Sequence, residues 1–274
     1  MFNIATVSYL NALPLIAGLE REPDIALSRL VPSELLATIE TGTADLALCP
    51  VVDLQTSVED LEIVQSGAIG CDGPALTVRL FSRLPFSDLE SVVTDRDSHT
   101  SVALLRIVLH ELHDCQPVFI SSPRAARPTD VDALLLIGDK VITSSPDPST
   151  YRYRLDLGAA WKTITGKPFV FATWMARSGR DLGDVPARLD TLRRVNRGRI
   201  AELAAHHAHA CGWPEDLALE YLTRNLRYEL GDRELAGIEE FWRRCRDLGI
   251  IDELRPLTLY GRAREGERVR KSEG

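Results

Sequence analysis

Apolar residues in the first fifty positions switch between short unbroken runs and helical spacing. Phe2–Val7 reads as a strand, followed by a polar turn through Ser8-Tyr9-Leu10-Asn11 and a helix started by Pro14 and ended by Gly18 and Pro23. Ile25–Leu30 is a second strand. Pro32 and Ser33, with Glu34 in the first turn, open a helix carrying Leu35, Leu36 and Ile39 that stops at Gly42, and residues 45–51 form a buried strand. This strand-helix rhythm predicts an α/β domain with a mostly parallel sheet, whose ligands sit at the carboxyl ends of its strands.

The glycines of residues 67–74 predict a tight turn leading into a strand over residues 76–81. A second α/β unit then begins: a strand over 91–94, a polar turn over 95–101 and a helix over 102–112. Residues 118–120 and 133–137 supply two more strands, and 156–165 a helix that Asp156 can cap. After a β-rich run over 169–174 the pattern is helical over 185–209, 214–221 and 232–247, with a charged, fraying end from Glu265 to Gly274. The pattern predicts two lobes with a cleft between them: a discontinuous lobe of residues 1–78 and 175–274, and an inserted lobe of 79–174.

Charge narrows the set of partners. Forty acidic against 32 basic residues give a formal charge of −8, which repels nucleic acid, so an anionic ligand has to be held by local donors. No apolar run reaches the roughly 18 residues of a membrane span. The first cationic side chain is Arg21, too late for a secretory signal, so the mature chain is expected to begin at or near Met1. Five scattered cysteines without a CxxC pair suggest neither a disulfide framework nor a zinc site, and a reducing cytoplasm fits.

Two strand-to-helix turns carry the chemistry. Ser8 to Asn11 in one unit and Ser98-His99-Thr100-Ser101 in the other each place hydroxyl or amide donors beside the unpaired N–H groups of a helix start. Facing each other, they could clamp one small molecule with two separated carboxylates. The same residues also fit plain helix capping. Strand alternation sets Thr77 and Arg79 opposite Leu76, Val78 and Leu80, so Thr77 can face a cleft. Gly138 and Asp139 end an apolar strand where α/β ligands are met, although Asp139 also fits a cap. Other motifs fall short. The GxxGxxG run from Gly67 lacks nucleotide-loop spacing, the order HExH at His110 to His113 is one residue short of a zincin, and His206, His207 and His209 lack a completing ligand. No metal site is expected, and GxSxG is absent.

Five blocks occur in a known family's order: Val7 to Leu15, Asp72-Gly73-Pro74 with its strand, Ser98 to Leu105, Leu136 to Asp139, and Asp156-Leu157-Gly158 through Trp161 to Ala172. The chain resembles the chorismate dehydratases of the futalosine route to menaquinone, from about Ile4 to Ile251. That resemblance implies a two-lobed type II periplasmic-binding-protein-like α/β fold in a cytoplasmic lyase. It implies conversion of chorismate to 3-[(1-carboxyvinyl)oxy]benzoate by loss of water, without metal or organic cofactor, nucleic acid or membrane partner. Asn11 would then be the main catalytic side chain, donating where charge grows, and Thr77 would orient the substrate. Ser8, Tyr9, Thr100, Ser101, Gly138 and Asp139 would bind it. His99 and Leu76 depart from the family's usual residues. A non-catalytic anion-binding module of the same fold, or the related cyclase of that pathway, are the alternatives.

Overall fold

The computed structural model describes residues 1–95, 98–122 and 131–262, so the charged end from Glu265 lies outside the described residues. The elements run β1 (Phe2–Val7), a 3-10 turn (Leu10–Ala12), α1 (Leu13–Ile16), β2 (Ile25–Leu30), α2 (Pro32–Glu40), β3 (Leu46–Pro50), α3 (Asp53–Thr56), β4 (Leu61–Cys71) and β5 (Val78–Ser82). β6 (Ser91–Asp95), α4 (His99–His113), β7 (Val118–Ser122), β8 (Ala133–Ile137), α5 (Lys140–Thr143), β9 (Tyr153–Asp156) and α6 (Leu157–Thr165) follow. The chain closes with β10 (Phe169–Arg177), α7 (Val185–Gly198), α8 (Ile200–His207), α9 (Glu215–Glu220), β11 (Leu226–Arg227) and α10 (Asp232–Asp247).

Two sheets form, ordered β11-β4-β10-β3-β1-β2 and β7-β6-β8-β5-β9. Within each, the chain-order neighbours β1, β2 and β3, or β6, β7 and β8, are parallel, while β10 and β5 run antiparallel to the strands beside them. Both sheets are therefore mixed. Apart from the two-residue edge strand β11, which is antiparallel to β4, the antiparallel member in each is a strand next to a crossing between lobes: β5 follows the outward crossing and β10 follows the return. Because β10 hydrogen-bonds within the first sheet, the chain has returned by Phe169, ahead of the boundary expected at 174/175.

Only the end of the glycine-rich stretch turns. β4 continues as an eleven-residue strand as far as Cys71, with register shifts in its pairing to β10, and the chain bends after it at Asp72 and Gly73, where Gly73 holds φ +137°. The glycines serve close backbone approach: a Cβ on Gly70 would lie 2.6 Å from the Phe169 carbonyl oxygen, and Gly67 holds φ +124°. Glycine inside a strand pattern signals such an approach as readily as a turn. The short β9 also escapes the pattern, since two of its four residues are exposed.

Burial follows the apolar spacing. All five residues of β3 are buried, as a strand covered on both faces requires. α10 buries Leu235, Ile238, Phe241, Trp242 and Cys245 along one stripe. Trp161, Trp174 and Trp242 are fully buried, and Trp161, Phe169 and Phe241 pack edge to face. One apolar core passes through both lobes, so they meet over a packed base and the cleft opens above it.

Candidate active site

The carboxyl ends of the parallel strands face one another across a cleft. β1 delivers Val7 and the turn bearing Tyr9 and Asn11, β3 delivers Leu48 and Pro50, and β8 delivers Ile137 and Gly138. The start of α4 adds Ser98, His99, Thr100 and Ser101. Thr77, Val78, Phe171 and Tyr221 complete the walls. No Lys, Arg, Asp or Glu belongs to this lining among the described residues. An anion there meets neutral donors, one histidine and a helix dipole.

The two helix starts are unequal. α4 is fifteen residues long and begins at His99, three residues earlier than the spacing predicts. The N–H groups of its first turn have no carbonyl one turn behind them, and its dipole puts about half a positive charge there. Buried Ser98, Thr100 and Ser101 surround that end. The opposite turn is a single 3-10 turn running into the four-residue α1, so Tyr9 and Asn11 act there through their side chains rather than through a dipole.

Asn11, Tyr221 and Thr77 form a connected polar wall. Thr77 is 3 % exposed, and its Oγ1 lies 2.7 Å from the Tyr221 hydroxyl. Asn11 also hydrogen-bonds to the Tyr221 phenol through its side chain, and its Oδ1 is buried without a protein partner. Burial pushes the Tyr221 pKa well above the ordinary phenol range, so the group stays an O–H donor. Either hydroxyl can donate in that bond, and the Asn11 amide favours a hydrogen-accepting phenol oxygen. With the phenol as donor, the Thr77 hydroxyl hydrogen is free to point at a ligand, polarised by the bonds behind it. The lone Asn11 acceptor calls for a ligand O–H or N–H, which differs from the donor role the resemblance implies.

Of the residues singled out in the sequence, Tyr9, Asn11, Thr77, Thr100, Ser101 and Gly138 line this cleft, and Ser8 and Asp139 do not. Ser8 is exposed. The Asp139 carboxylate is engaged behind the wall, accepting from Trp213 Nε1 at 2.8 Å and from the Leu10 backbone, while burial raises its pKa above the ordinary carboxylate value. The Trp213 ring stacks on Tyr221 with centroids 4.9 Å apart. Asp139 thus sits two contacts from the cleft. Tyr221 opens a one-turn π-helix over Tyr221–Asn225 and was not marked by any sequence pattern; a tyrosine in a helical run reads as core. The histidines outside the cleft form no metal cluster among the described residues.

Two contacts tie the lobes together at the cleft rim. The Val52 N–H donates to Thr100 Oγ1 at 3.3 Å, and His99 Nδ1 lies 2.8 Å from Asp53 Oδ1. Asp53 is fully buried and its second oxygen has no partner, whereas His99 is 43 % exposed. Burial lifts the Asp53 pKa and His99 opposes that lift. A carboxyl raised in the fold favours the folded state below its unfolded pKa and loses that advantage as pH rises through the folded value. His99→Ala removes the opposing partner, so the variant is expected to lose about 1–3 kcal/mol against the parent at pH 8, with the gap narrowing toward pH 4. Thermal melts across that range measure it, and a pH-independent gap would contradict the pairing.

A family model described as menaquinone biosynthesis matches residues 2–247. The chain belongs to that family. It is 28 % identical over 257 residues to the chorismate dehydratase of Thermus thermophilus, covering 85 % of this chain and 91 % of that protein. A solved structure from Archaeoglobus fulgidus superposes with a TM-score of 0.69 at 15 % identity, covering 91 % of this chain and 98 % of that one. The periplasmic aliphatic sulphonate binding protein of Escherichia coli superposes at 0.62 and 17 % identity, covering 96 % and 95 %. These likenesses establish the two-lobed periplasmic-binding-protein-like fold.

Proposed function

We propose that this protein is a chorismate dehydratase, a carbon–oxygen lyase that forms 3-[(1-carboxyvinyl)oxy]benzoate in menaquinone biosynthesis and works in the cytoplasm. The observation that carries the reading is the pairing, in one cleft, of the α4 helix start with the Asn11–Tyr221–Thr77 wall. The homologous Thermus enzyme supports it. At neutral pH chorismate offers two carboxylates and a single hydroxyl donor. The first turn of α4 suits one carboxylate, the Tyr9–Asn11 side suits the other, and the unpartnered Asn11 Oδ1 suits the hydroxyl.

The reaction removes a hydrogen from the ring carbon bearing the enolpyruvyl oxygen and the hydroxyl from the neighbouring carbon. The C–H pair forms the new ring double bond as the C–O bond breaks, and the proton and hydroxide leave as water. Thr77, with Tyr221 behind it, donates to the departing oxygen as charge grows. Among the described residues the cleft lining carries no Asp or Glu. The substrate's own enolpyruvyl carboxylate, which reaches the departing hydrogen through a six-membered arrangement, serves as proton acceptor. The protein's share is orientation and charge stabilisation, and aromaticity drives the product.

Incubation with chorismate followed by chromatography tests the assignment. The expected result is loss of chorismate with matching appearance of the aromatic enol ether. Tight binding with chorismate unchanged would instead make the protein a binding module of the same fold.

A further inference from the structure

Thr77 owes its place to a backbone conformation that leucine resists. Leu76, immediately before it, holds φ +65°, in the left-handed region that side-chain-bearing residues avoid. The Asp156 carboxylate, at the end of β9, fastens this turn from below: Oδ1 accepts from the Ala75 N–H and Oδ2 from the Leu76 N–H, each at 2.8 Å. The same Oδ1 accepts from the Ala159 N–H at 3.1 Å and caps α6. Thr77 is then held on both sides, its N–H on the Ala75 carbonyl at 2.8 Å and its own carbonyl on the Gly138 N–H at 2.9 Å. The neighbouring Gly158 belongs to the same fitting, since a Cβ there would lie 2.5 Å from the Gly73 carbonyl oxygen.

We propose that Asp156 is a positioning residue for the elimination, acting through the strained Leu76 backbone to aim the Thr77 hydroxyl between Tyr221 and the substrate. Strain of this kind persists where the surroundings over-determine it, and the two-oxygen grip on consecutive N–H groups does so here. The inference rests on the chorismate reading for its kinetic consequence but not for its structural one. A cap alone would need only one oxygen, on Ala159, whereas the second oxygen takes the N–H of the residue before Thr77 at 2.8 Å, with Arg79 Nε farther off at 3.6 Å.

The test separates capping from positioning. Asp156→Ser retains a hydroxyl able to cap α6 but cannot reach both Ala75 and Leu76. Its kcat for chorismate is expected to fall about tenfold or more with a smaller change in KM, as for an interaction made in the transition state. Adding Leu76→Gly, which removes the steric penalty of the left-handed turn, is expected to restore kcat several-fold without restoring Tm. Asp156→Asn serves the same comparison if the serine variant fails to fold. An unchanged kcat, or a loss that Leu76→Gly leaves untouched, would overturn the proposal. A crystal structure of the Asp156 variant decides it independently of turnover: the expected finding is Leu76 at negative φ with Thr77 Oγ1 withdrawn from Tyr221, and an unmoved turn would overturn it. If the parent protein leaves chorismate unchanged, the functional reading fails while this structural arm still gives its answer.

Discussion

Asn11→Ala is expected to lower turnover of chorismate by about tenfold or more, a barrier increase of at least about 1.4 kcal/mol. Asn11 sits on the single 3-10 turn after β1, with one end of its amide engaged by Tyr221 and the other buried against the cleft without a protein partner. Alanine deletes the acceptor that fixes the leaving hydroxyl and also the donor that holds the Tyr221 phenol. Both losses act on the reacting end of the substrate, so the effect should appear mainly in kcat. Steady-state rates at saturating chorismate, on a variant shown by circular dichroism to be folded, measure it. A folded variant with the parental rate would remove Asn11 from the chemistry.

Thr77→Val is expected to cost about a hundred- to a thousandfold in kcat, the range for loss of one donor aimed at a developing charge. Valine preserves the shape and β-branching of threonine while deleting the hydroxyl, and the site is 3 % exposed, so little else changes. The substitution also leaves the Tyr221 phenol without its 2.7 Å partner. Tyr221→Phe removes the other half of that bond. The two hydroxyls act in series, so the double variant should lose little more than the worse single one; full additivity would show that they act separately.

What could be read from the chain depended on how local the signal was. The runs Phe2–Val7 and Ala133–Ile137 and the stripe of α10 were legible because period and burial agree over many residues. The two turns that face the cleft were legible because a polar segment between strand and helix has few uses. Tyr221 was not, because its role depends on Thr77, 144 positions earlier in the chain, and no periodicity encodes that contact. Asp139 sits at the strand end where ligands are met, but its carboxylate is taken by Trp213, 74 positions away. The glycines of β4 read as a turn because glycine marks both turns and close backbone approach, and only the position of the Phe169 carbonyl distinguishes them. In each case the missing information was a partner distant in sequence.

A crystal structure with the enol ether product bound tests the two-sided cleft most directly. The account predicts one carboxylate on the first turn of α4, within hydrogen-bonding distance of the Thr100 or Ser101 N–H groups, and the other on the Tyr9–Asn11 side, with the ring beside Thr77. A product bound outside this cleft, or held by one lobe with its second carboxylate turned to solvent, would contradict it.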